Sequence, residues 1–398
     1  MNRIGYITAI LLAVLLCGSC INEEYAGPDP DLPTRTIIVY LGGDNNLSEE
    51  TGRKIEALRQ GWTYTGNKCL IYQDSRDGAR LLRLRGGCRT TPTPYVETVR
   101  EYGAENSASA ETFARVLREV AAEYPADSYG LIFASHASGW LPVGTLSDPN
   151  RSRSIGIDTN SGSMASGTTE MELADFAAAI PDGRLDFIVF EACLMAGVEV
   201  AYELRDKTEY ILASSAELLS PGFCPIYGKS LRYLFEMNRT VEQSLVAFAQ
   251  AYYDYTNAQS GAYRSTTLSI LRTQGMDALA TRTGELLPHI NLSLDVSDIA
   301  SIQHFDRPGS YGDYPASPRY FDFLNLMERI AAPADYTAIE SLMNDIVVWK
   351  AATPTFMDGY NGFAVTRHSG LTTYIEQDCF AGLNEAYRRT AWYVATHP

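Results

Sequence analysis

The sequence predicts an α/β protein with a mostly parallel central sheet and helices on both of its faces. Short runs of β-branched and aromatic residues alternate with segments whose apolar residues recur at helical spacing. This alternation favours parallel strands, because each helix returns the chain to the end of the sheet where the previous strand began. From about residue 260 helical segments dominate. Residues 34–259 are therefore predicted to form the main domain, and residues 260–398 a mainly helical covering subdomain.

Each of the first predicted strands is followed by residues that are typical of a loop or a turn. Residues 36–41 (TIIVYL) form a strand that stops at G-G-D-N-N, a loop signal, and Ser48 is expected to cap a helix over 48–59. A second strand over 68–73 is followed by a turn over 75–78, which leads into a returning strand over 81–85.

The remaining elements follow the same rules. A helix over 107–123 is predicted from Phe113, Val116, Leu117 and Val120, which lie at helical spacing. Strands are predicted over 129–135, 185–190 and 209–213, helices over 170–180 and 198–205, and a long polar loop over 141–169. The C-terminal part is predicted to contain helices over 275–287, 321–331, 336–351 and 384–395, with short strands over 363–366 and 372–375.

Composition narrows the classes of function. The 398-residue chain is 45% hydrophobic and 20% charged, an ordinary globular balance, and its formal net charge is −16. Such an acidic chain repels phosphate backbones, so no nucleic-acid partner is expected. A basic peptide would be drawn toward it.

The N-terminus is predicted to be a targeting segment. An apolar run over 7–16 follows Arg3 and is too short to span a bilayer stably, and the small residues before Cys20 resemble a bacterial lipoprotein processing site. On this interpretation residues 1–19 are a signal peptide, Cys20 is lipidated, and residues 20–33 are a tether to the cell envelope, at the outer membrane or cell surface. The alternative is an ordinary signal peptide that happens to contain cysteines.

Seven cysteines are present, and export would place the mature chain where disulfides form. A hairpin folded about residues 77–79 would put Cys69 opposite Cys88, and a bridge closing that loop would contribute roughly 3 kcal/mol. Two buried thiols are the alternative. No C-x-x-C pair or Cys/His cluster indicates a structural metal.

Two strings carry most of the functional information. F-A-S-H-A-S-G-W contains His136 and F-E-A-C-L-M contains Cys193, and each string includes the end of a predicted buried strand. Neighbouring parallel strands would bring the imidazole and the thiol to one edge of the sheet, where open α/β folds place their sites. The chemistry suggested is a Cys–His nucleophile pair. The alternatives are a buried cysteine that acts as a small hydrophobe and a histidine satisfied within a loop.

These strings, together with G-D-N-N-L at residues 43–47, resemble the clostripain family of cysteine peptidases, which is grouped with caspases, gingipains and legumain. The similarity covers about 34–398. It implies a caspase-like three-layer sandwich in which Cys193 is the nucleophile and His136 the acid/base. It further implies a dyad without a third acid, and oxyanion stabilisation by the backbone N–H groups of Cys193 and Ala137.

Two residues depart from the family pattern. Ala137 stands where the family usually has glycine, and Glu191 where it usually has aspartate. An alanine N–H can still donate, but a left-handed backbone there would cost about 1 kcal/mol or more. The family's acid lies at the base of the S1 pocket, which binds the side chain before the scissile bond (P1). Glu191, with Glu217 as a second acid, therefore implies Arg or Lys at P1. The alternative for Glu191 is a carboxylate tied to backbone amides beside the site.

The resemblance also bears on activation and partners. Relatives are often activated by self-cleavage after a basic residue between the His and Cys strands, which makes Arg151 and Arg153 candidates. No cofactor is predicted; some relatives use calcium, which the sequence leaves open. We expect a monomer acting on peptides or proteins. The competing interpretations are a catalytically silent lipoprotein that binds peptides or host proteins, favoured by Ala137 and Glu191, and a transpeptidase using the same acyl-enzyme.

Overall fold

The structure, a computed structural model, describes residues 32–145, 155–158, 169–287, 296–309 and 316–397. Its strands are β1 (Arg35–Gly42), β2 (Lys68–Asp74), β3 (Ala79–Arg85), β4 (Tyr95–Gly103), β5 (Ser128–Ala134), β6 (Ile155–Asp158), β7 (Thr169–Met171), β8 (Leu185–Glu191), β9 (Thr208–Ser214), β10 (Thr267–Arg272), β11 (Phe321–Asp322), β12 (Val347–Ala352), β13 (Thr355–Phe356), β14 (Phe363–Ala364) and β15 (Thr372–Thr373). Its α-helices are α1 (Ser48–Gly61), α2 (Ala110–Glu123), α3 (Leu173–Ala179), α4 (Val198–Glu203), α5 (Cys224–Ser230), α6 (Val241–Asn257), α7 (Met276–Leu286), α8 (Val296–Ala300), α9 (Phe323–Ile330), α10 (Pro333–Ile346), α11 (Ala381–Tyr387) and α12 (Ala391–Thr396).

The central sheet has the strand order β12-β10-β9-β8-β5-β1-β2-β3-β4. Its five middle strands, from β9 to β2, are parallel. Two antiparallel strands extend each edge, β10 and β12 on one side and β3 and β4 on the other. The prediction of an α/β fold with a parallel core is confirmed.

The middle strands are apolar because both faces of the sheet are buried. In β1, Ile38 and Tyr40 belong to the core on one face, while Ile37, Val39 and Leu41 belong to the core on the other. The first core includes residues of α2 and α3, and the second includes residues of α1, α5 and α6. The result is a three-layer sandwich.

The boundary predicted at residue 260 does not divide the structure. Residues 34–398 form one compact unit, because β10 and β12 of the later segment belong to the central sheet. The helix predicted over 336–351 ends at Ile346, and the chain continues as β12, whose β-branched and aromatic residues (VVW) pair with β10. The rest of the later segment is mainly helical, as predicted.

Three smaller expectations also differ from the structure. Strand β4 was not predicted; it lies at the edge of the sheet and none of its residues is fully buried, so it lacks an apolar run. The helix expected over 384–395 is interrupted, and Thr390 caps α12. Helix α1 begins at Ser48 without a side-chain cap, and the Ser48 hydroxyl instead accepts a hydrogen bond from the backbone N–H of Arg76.

The predicted Cys69–Cys88 disulfide is wrong: the structure does not join these two residues. Leu70 pairs with Arg83 in the β2–β3 hairpin, so the register places Leu84, not Cys88, beside Cys69. Gly86 and Gly87, both with positive φ, then turn the chain away from β2. Cys69 is fully buried, and burial raises the pKa of its thiol.

Candidate active site

The register of two neighbouring strands brings His136 and Cys193 to the same place. Strands β5 and β8 pair in parallel from Gly130 opposite Phe187 to Ala134 opposite Glu191, a constant offset of 57 positions. His136 and Cys193 are separated by the same 57 positions, and each lies two residues beyond the end of its strand. Both residues line one cavity of about 340 Å³.

Gly130 fixes the packing of these two strands. A Cβ at Gly130 would lie 2.2 Å from the ring of Phe187, its partner on β8, so a side chain at this position has no room. The ring of the buried Phe187 fills that space. The glycine therefore allows the two site-bearing strands to adopt this register.

The backbone after Cys193 is constrained. Leu194 has φ 62°, a left-handed conformation that a non-glycine residue adopts at a cost of about 1 kcal/mol or more, and its N–H donates to the Ala216 carbonyl at 2.9 Å. Gly139, from the histidine loop, approaches so closely that a Cβ there would lie 2.7 Å from the Leu194 carbonyl oxygen. The Cys193 sulfur accepts a hydrogen bond from the Leu218 N–H at 3.4 Å. These contacts hold the half-buried thiol in the cavity wall.

His136 contacts Asn46, a residue to which the sequence analysis gave no role. The ring Nε2 lies 2.7 Å from Asn46 Oδ1, and Asn46 follows β1, the neighbour of β5. A hydrogen bond donated from Nε2 to this oxygen leaves Nδ1 as the basic nitrogen of the ring. The signal that could have identified Asn46 is its place in the G-D-N-N-L string.

Ala137 adopts an ordinary backbone conformation. The described non-glycine residues with positive φ are Leu194, Met357 and Asn361, so alanine at position 137 carries no left-handed strain. The carbonyl of the His136–Ala137 peptide accepts a hydrogen bond from Gly156 N–H at 2.9 Å. In a trans peptide the N–H points the opposite way from the carbonyl, so this bond also fixes the direction of the Ala137 N–H.

Glu191 lines the cavity, but its carboxylate is already bound within the chain. One oxygen lies 2.6 Å from Lys54 Nζ and accepts the Phe223 N–H at 2.6 Å; the other accepts the Tyr227 hydroxyl at 2.7 Å. The side chain is 1% exposed. A Cβ at Gly222 would lie 2.1 Å from this carboxylate, so glycine lets the loop close over it. This geometry corresponds to the alternative in which Glu191 is tied up beside the site.

Glu217, the predicted second acid, is also paired. Its carboxylate accepts two hydrogen bonds from the Arg307 guanidinium, at 2.7 and 3.0 Å, and both side chains line the cavity. Burial raises the pKa of Glu217, although Arg307 opposes that effect. Neither acid expected to meet a substrate cation therefore has an uncompensated charge.

Several predicted site residues lie outside the described residues: Cys20 near the N-terminus, and Arg151 and Arg153 in the loop. Within the described ranges, no group of three or more His, Cys, Asp or Glu side chains is arranged to hold a metal ion. None of the helices in the described part of the chain combines the length and apolar character that a bilayer span requires.

Comparison with known proteins identifies the family of this chain. The profile of the clostripain family of C11 peptidases matches residues 39–383. The chain belongs to the clostripain family. Clostripain itself, from Hathewaya histolytica, is 22% identical over 408 residues, covering 85% of this chain and 75% of clostripain.

Solved C11 proteases share the whole fold of this clostripain-family chain. An inactive zymogen C11 protease from Parabacteroides distasonis is 28% identical, with a TM-score of 0.77 over 92% of this chain and 99% of the other. A secreted C11 cysteine protease from Bacteroides thetaiotaomicron, in complex with an irreversible peptide inhibitor, is 26% identical, with a TM-score of 0.76 over the same shares. The chain is therefore a cysteine peptidase with the caspase-like fold, as predicted.

Proposed function

We propose that this clostripain-family chain is an endopeptidase that uses Cys193 and His136 as a catalytic dyad. The observation that carries the proposal is the β5–β8 register, which brings both side chains to one cavity. The Cys193 thiolate attacks the scissile carbonyl, His136 protonates the leaving amine, and water attacks the acyl-enzyme to release the acid and regenerate the thiol.

The oxyanion of each tetrahedral intermediate is proposed to be stabilised by the backbone N–H groups of Ala137 and Cys193. The fixed direction of the Ala137 peptide supports this assignment, because a donor contributes most when it is already oriented. The ordinary φ of Ala137 removes one of the two features that favoured a catalytically silent binding protein.

The predicted preference for Arg or Lys at P1 is not supported by the geometry. It depended on Glu191 and Glu217, and each carboxylate already pairs with a cation of the chain, Lys54 and Arg307 respectively.

Self-processing within residues 141–169 remains part of the proposal. A related C11 protease was solved as an inactive zymogen, which supports activation by cleavage in this chain as well. Intact-mass measurement of the wild type and of Cys193→Ala tests this step: two fragments in the wild type and one chain in the variant are expected.

Lipid anchoring at Cys20 and a place in the bacterial cell envelope are likewise proposed, with support from the N-terminal sequence and from the secreted nature of a related C11 protease. Metabolic labelling with a fatty acid tests the anchor: the label is expected on the wild type and lost in Cys20→Ala.

Catalysis is tested with fluorogenic peptides that differ only at P1 and carry Arg, Lys, Gln, Met or Asp there. Turnover is expected to fall on the order of 10³-fold or more in Cys193→Ala and in His136→Ala. An acyloxymethyl ketone probe should label Cys193. Neither turnover nor labelling, before or after limited nicking, would favour the binding lipoprotein, whereas capture of the acyl group by an added amine would indicate a transpeptidase.

A further inference from the structure

Lys54 places a fixed cation in the wall of the active-site cavity. It lies on α1, its side chain is 6% exposed, and its Nζ is 2.6 Å from Glu191 Oε1 and 2.9 Å from Glu50 Oε1. Burial opposes its charge, but the two carboxylates raise the pKa of Lys54 above its ordinary value. The ammonium therefore stays charged throughout the neutral range.

The hydrogen-bonding capacity around this ammonium is filled. Its three hydrogens have three acceptors, since the Pro221 carbonyl lies 3.4 Å away in addition to Glu191 and Glu50. Glu191 is further occupied by the Phe223 N–H and the Tyr227 hydroxyl. The position at which the family's S1 acid would meet a substrate cation is thus taken by a cation of the chain itself.

Glu50 carries the charge that is left over in this group, and it is also engaged. Its second oxygen accepts the Ser220 hydroxyl at 2.6 Å, and the side chain is 14% exposed. A substrate ammonium bound at this carboxylate would have to displace Ser220 or lie beside Lys54. Like charges at such separations repel strongly where water is excluded.

We infer that Lys54 is a specificity-determining residue: it occupies the cation position of the S1 pocket, so that the peptidase cleaves after uncharged rather than basic side chains. This inference rests on the proposed peptidase function. Leu47, Leu218 and Leu219 also line the cavity, so it offers apolar walls beside the Lys54–Glu191 group, whose hydrogen bonds are satisfied. Asp306 lines the cavity as well; its Oδ2 accepts the Arg319 N–H at 3.0 Å, and its Oδ1 lies 3.6 Å from His304 Nδ1. An uncharged chain such as Met fits this surface without disturbing it.

The same inference changes the expectation for processing. Arg151 and Arg153 were candidates only because a basic P1 residue was expected. With Lys54 in place, a cut made by the chain itself within 141–169 falls after an uncharged residue. The mature termini, read by mass spectrometry, report on this directly.

The first experiment compares kcat/KM of the wild type for the five P1 peptides. The Met and Gln peptides are expected to be cleaved at least tenfold faster than their Lys and Arg counterparts. Faster cleavage of the Arg or Lys peptides would overturn the inference while leaving the proposed peptidase function intact. If Glu50→Gln then abolished the cleavage of these basic peptides, Glu50 would be the S1 acid. Failure of all peptides together with failure of the ketone probe would overturn the proposed function and the inference with it.

The second experiment removes the cation. In Lys54→Met the carboxylate of Glu191 loses its partner, and a P1 Lys supplies the missing ammonium, so the ratio of Lys to Met turnover is expected to rise at least 100-fold. Lys229→Met, an exposed lysine on α5, is the control and should keep the wild-type ratio. An unchanged ratio in folded Lys54→Met contradicts the inference.

Removing one partner of a buried ion pair can prevent folding, so a charge-balanced variant accompanies the test. Lys54→Met/Glu191→Gln removes both charges of this pair but leaves Glu50 without its lysine. Glu50→Gln is therefore added, and the triple variant is expected to keep the preference for uncharged P1 residues. A gain of Lys turnover in this triple variant would show that neither Glu191 nor Glu50 is the acid exposed by loss of Lys54.

Discussion

The histidine of the site contacts the side-chain amide of Asn46. Asn46 Oδ1 lies 2.7 Å from His136 Nε2, and the backbone around Asn46 is itself held, since the neighbouring Asn45 accepts the Leu47 N–H and donates to the Ile157 carbonyl. The amide orients the ring and carries no charge of its own, while the Glu50 carboxylate lies near enough to interact with the imidazole. We therefore expect Asn46 to act as a positioning residue for His136.

Asn46→Ala is expected to lower kcat about tenfold with little change in KM, because the ring loses the bond that fixes its orientation. Steady-state kinetics measure kcat and KM separately. Exposed Asn238→Ala is the control, and an unchanged kcat in Asn46→Ala would exclude the positioning role.

At the scale of elements, the C-terminal segment supports both loops of the site. Tyr320 donates a 2.6 Å hydrogen bond to the Ser138 carbonyl in the histidine loop, and Thr372 N–H donates to the Ala196 carbonyl just beyond Cys193. The C-terminal segment thus holds both loops of the site in place through hydrogen bonds.

Tyr320→Phe is expected to cost about 1 kcal/mol of unfolding free energy, because it leaves the Ser138 carbonyl without this donor. It should also lower kcat, because the histidine loop loses a support. Urea unfolding and peptide turnover measure the two effects, with the 73% exposed Tyr263→Phe as the matched control. Equal stability of the two variants would show that the bond contributes nothing.

A pair of glycine substitutions separates packing from helix propensity. Gly130→Ala forces a methyl group against the Phe187 ring and is expected to destabilise the protein by about 1–3 kcal/mol. Gly52→Ala, at an exposed position of α1 with open space around it, is expected to stabilise by up to about 1 kcal/mol. Chemical denaturation should give opposite signs, and a neutral Gly130→Ala would contradict the packing argument.

The sequence predicted the strands that deliver the site, because doubly buried strands leave continuous apolar runs around residues 131 and 188. It missed β10 and β12, whose identity depends on pairing with partners far along the chain. Lys54 escaped notice for the same reason. Lys54 lies four positions after Glu50 on a helix, so from the sequence the two residues look like an ordinary ion pair on a helix surface. Glu191 is 137 positions away in the sequence, and only the fold brings it into contact with Lys54. Local pattern cannot show a contact made at long range.

At the scale of the whole molecule, Glu199 links helix α4 to the C-terminal segment. The buried carboxyl accepts the Tyr374 N–H at 2.9 Å and the Thr373 hydroxyl at 3.2 Å. Burial raises the pKa of Glu199 to about 7, and the hydrogen bonds only partly offset this effect. A carboxyl that keeps its proton up to about pH 7 thus joins two distant parts of the chain.

The raised pKa of Glu199 predicts a specific pH dependence of stability. Between its ordinary pKa of 4.5 and about 7, the folded state binds more protons than the unfolded state, so its contribution is complete below pH 4.5 and is lost as pH rises through 7. The free energy of unfolding of Glu199→Gln, measured relative to that of the wild type, should therefore rise by up to about 3 kcal/mol from pH 5 to pH 8.5. Unfolding free energies at several pH values test this.

His368 changes the stability with pH in the opposite direction, because burial lowers its pKa to about 3. The stability that the neutral imidazole contributes is lost as pH falls below 6.5. The difference between the wild type and Glu199→Gln cancels this common term. A pH-independent difference would show that the Glu199 carboxyl is ionised in the fold.

The equal spacing from the Gly130–Phe187 contact to the two site residues determines where an insertion into the chain would be tolerated. Six residues lead from Gly130 to His136, and six lead from Phe187 to Cys193. One residue inserted into either stretch would shift its side chain by about 3.3 Å and turn it to the other face of the sheet. Residues added within 159–168 change neither stretch and keep β6, whose Gly156 N–H binds the His136 carbonyl, joined to the histidine loop. Two separately expressed pieces that meet within 159–168 should therefore assemble through the strand ladder into an active peptidase.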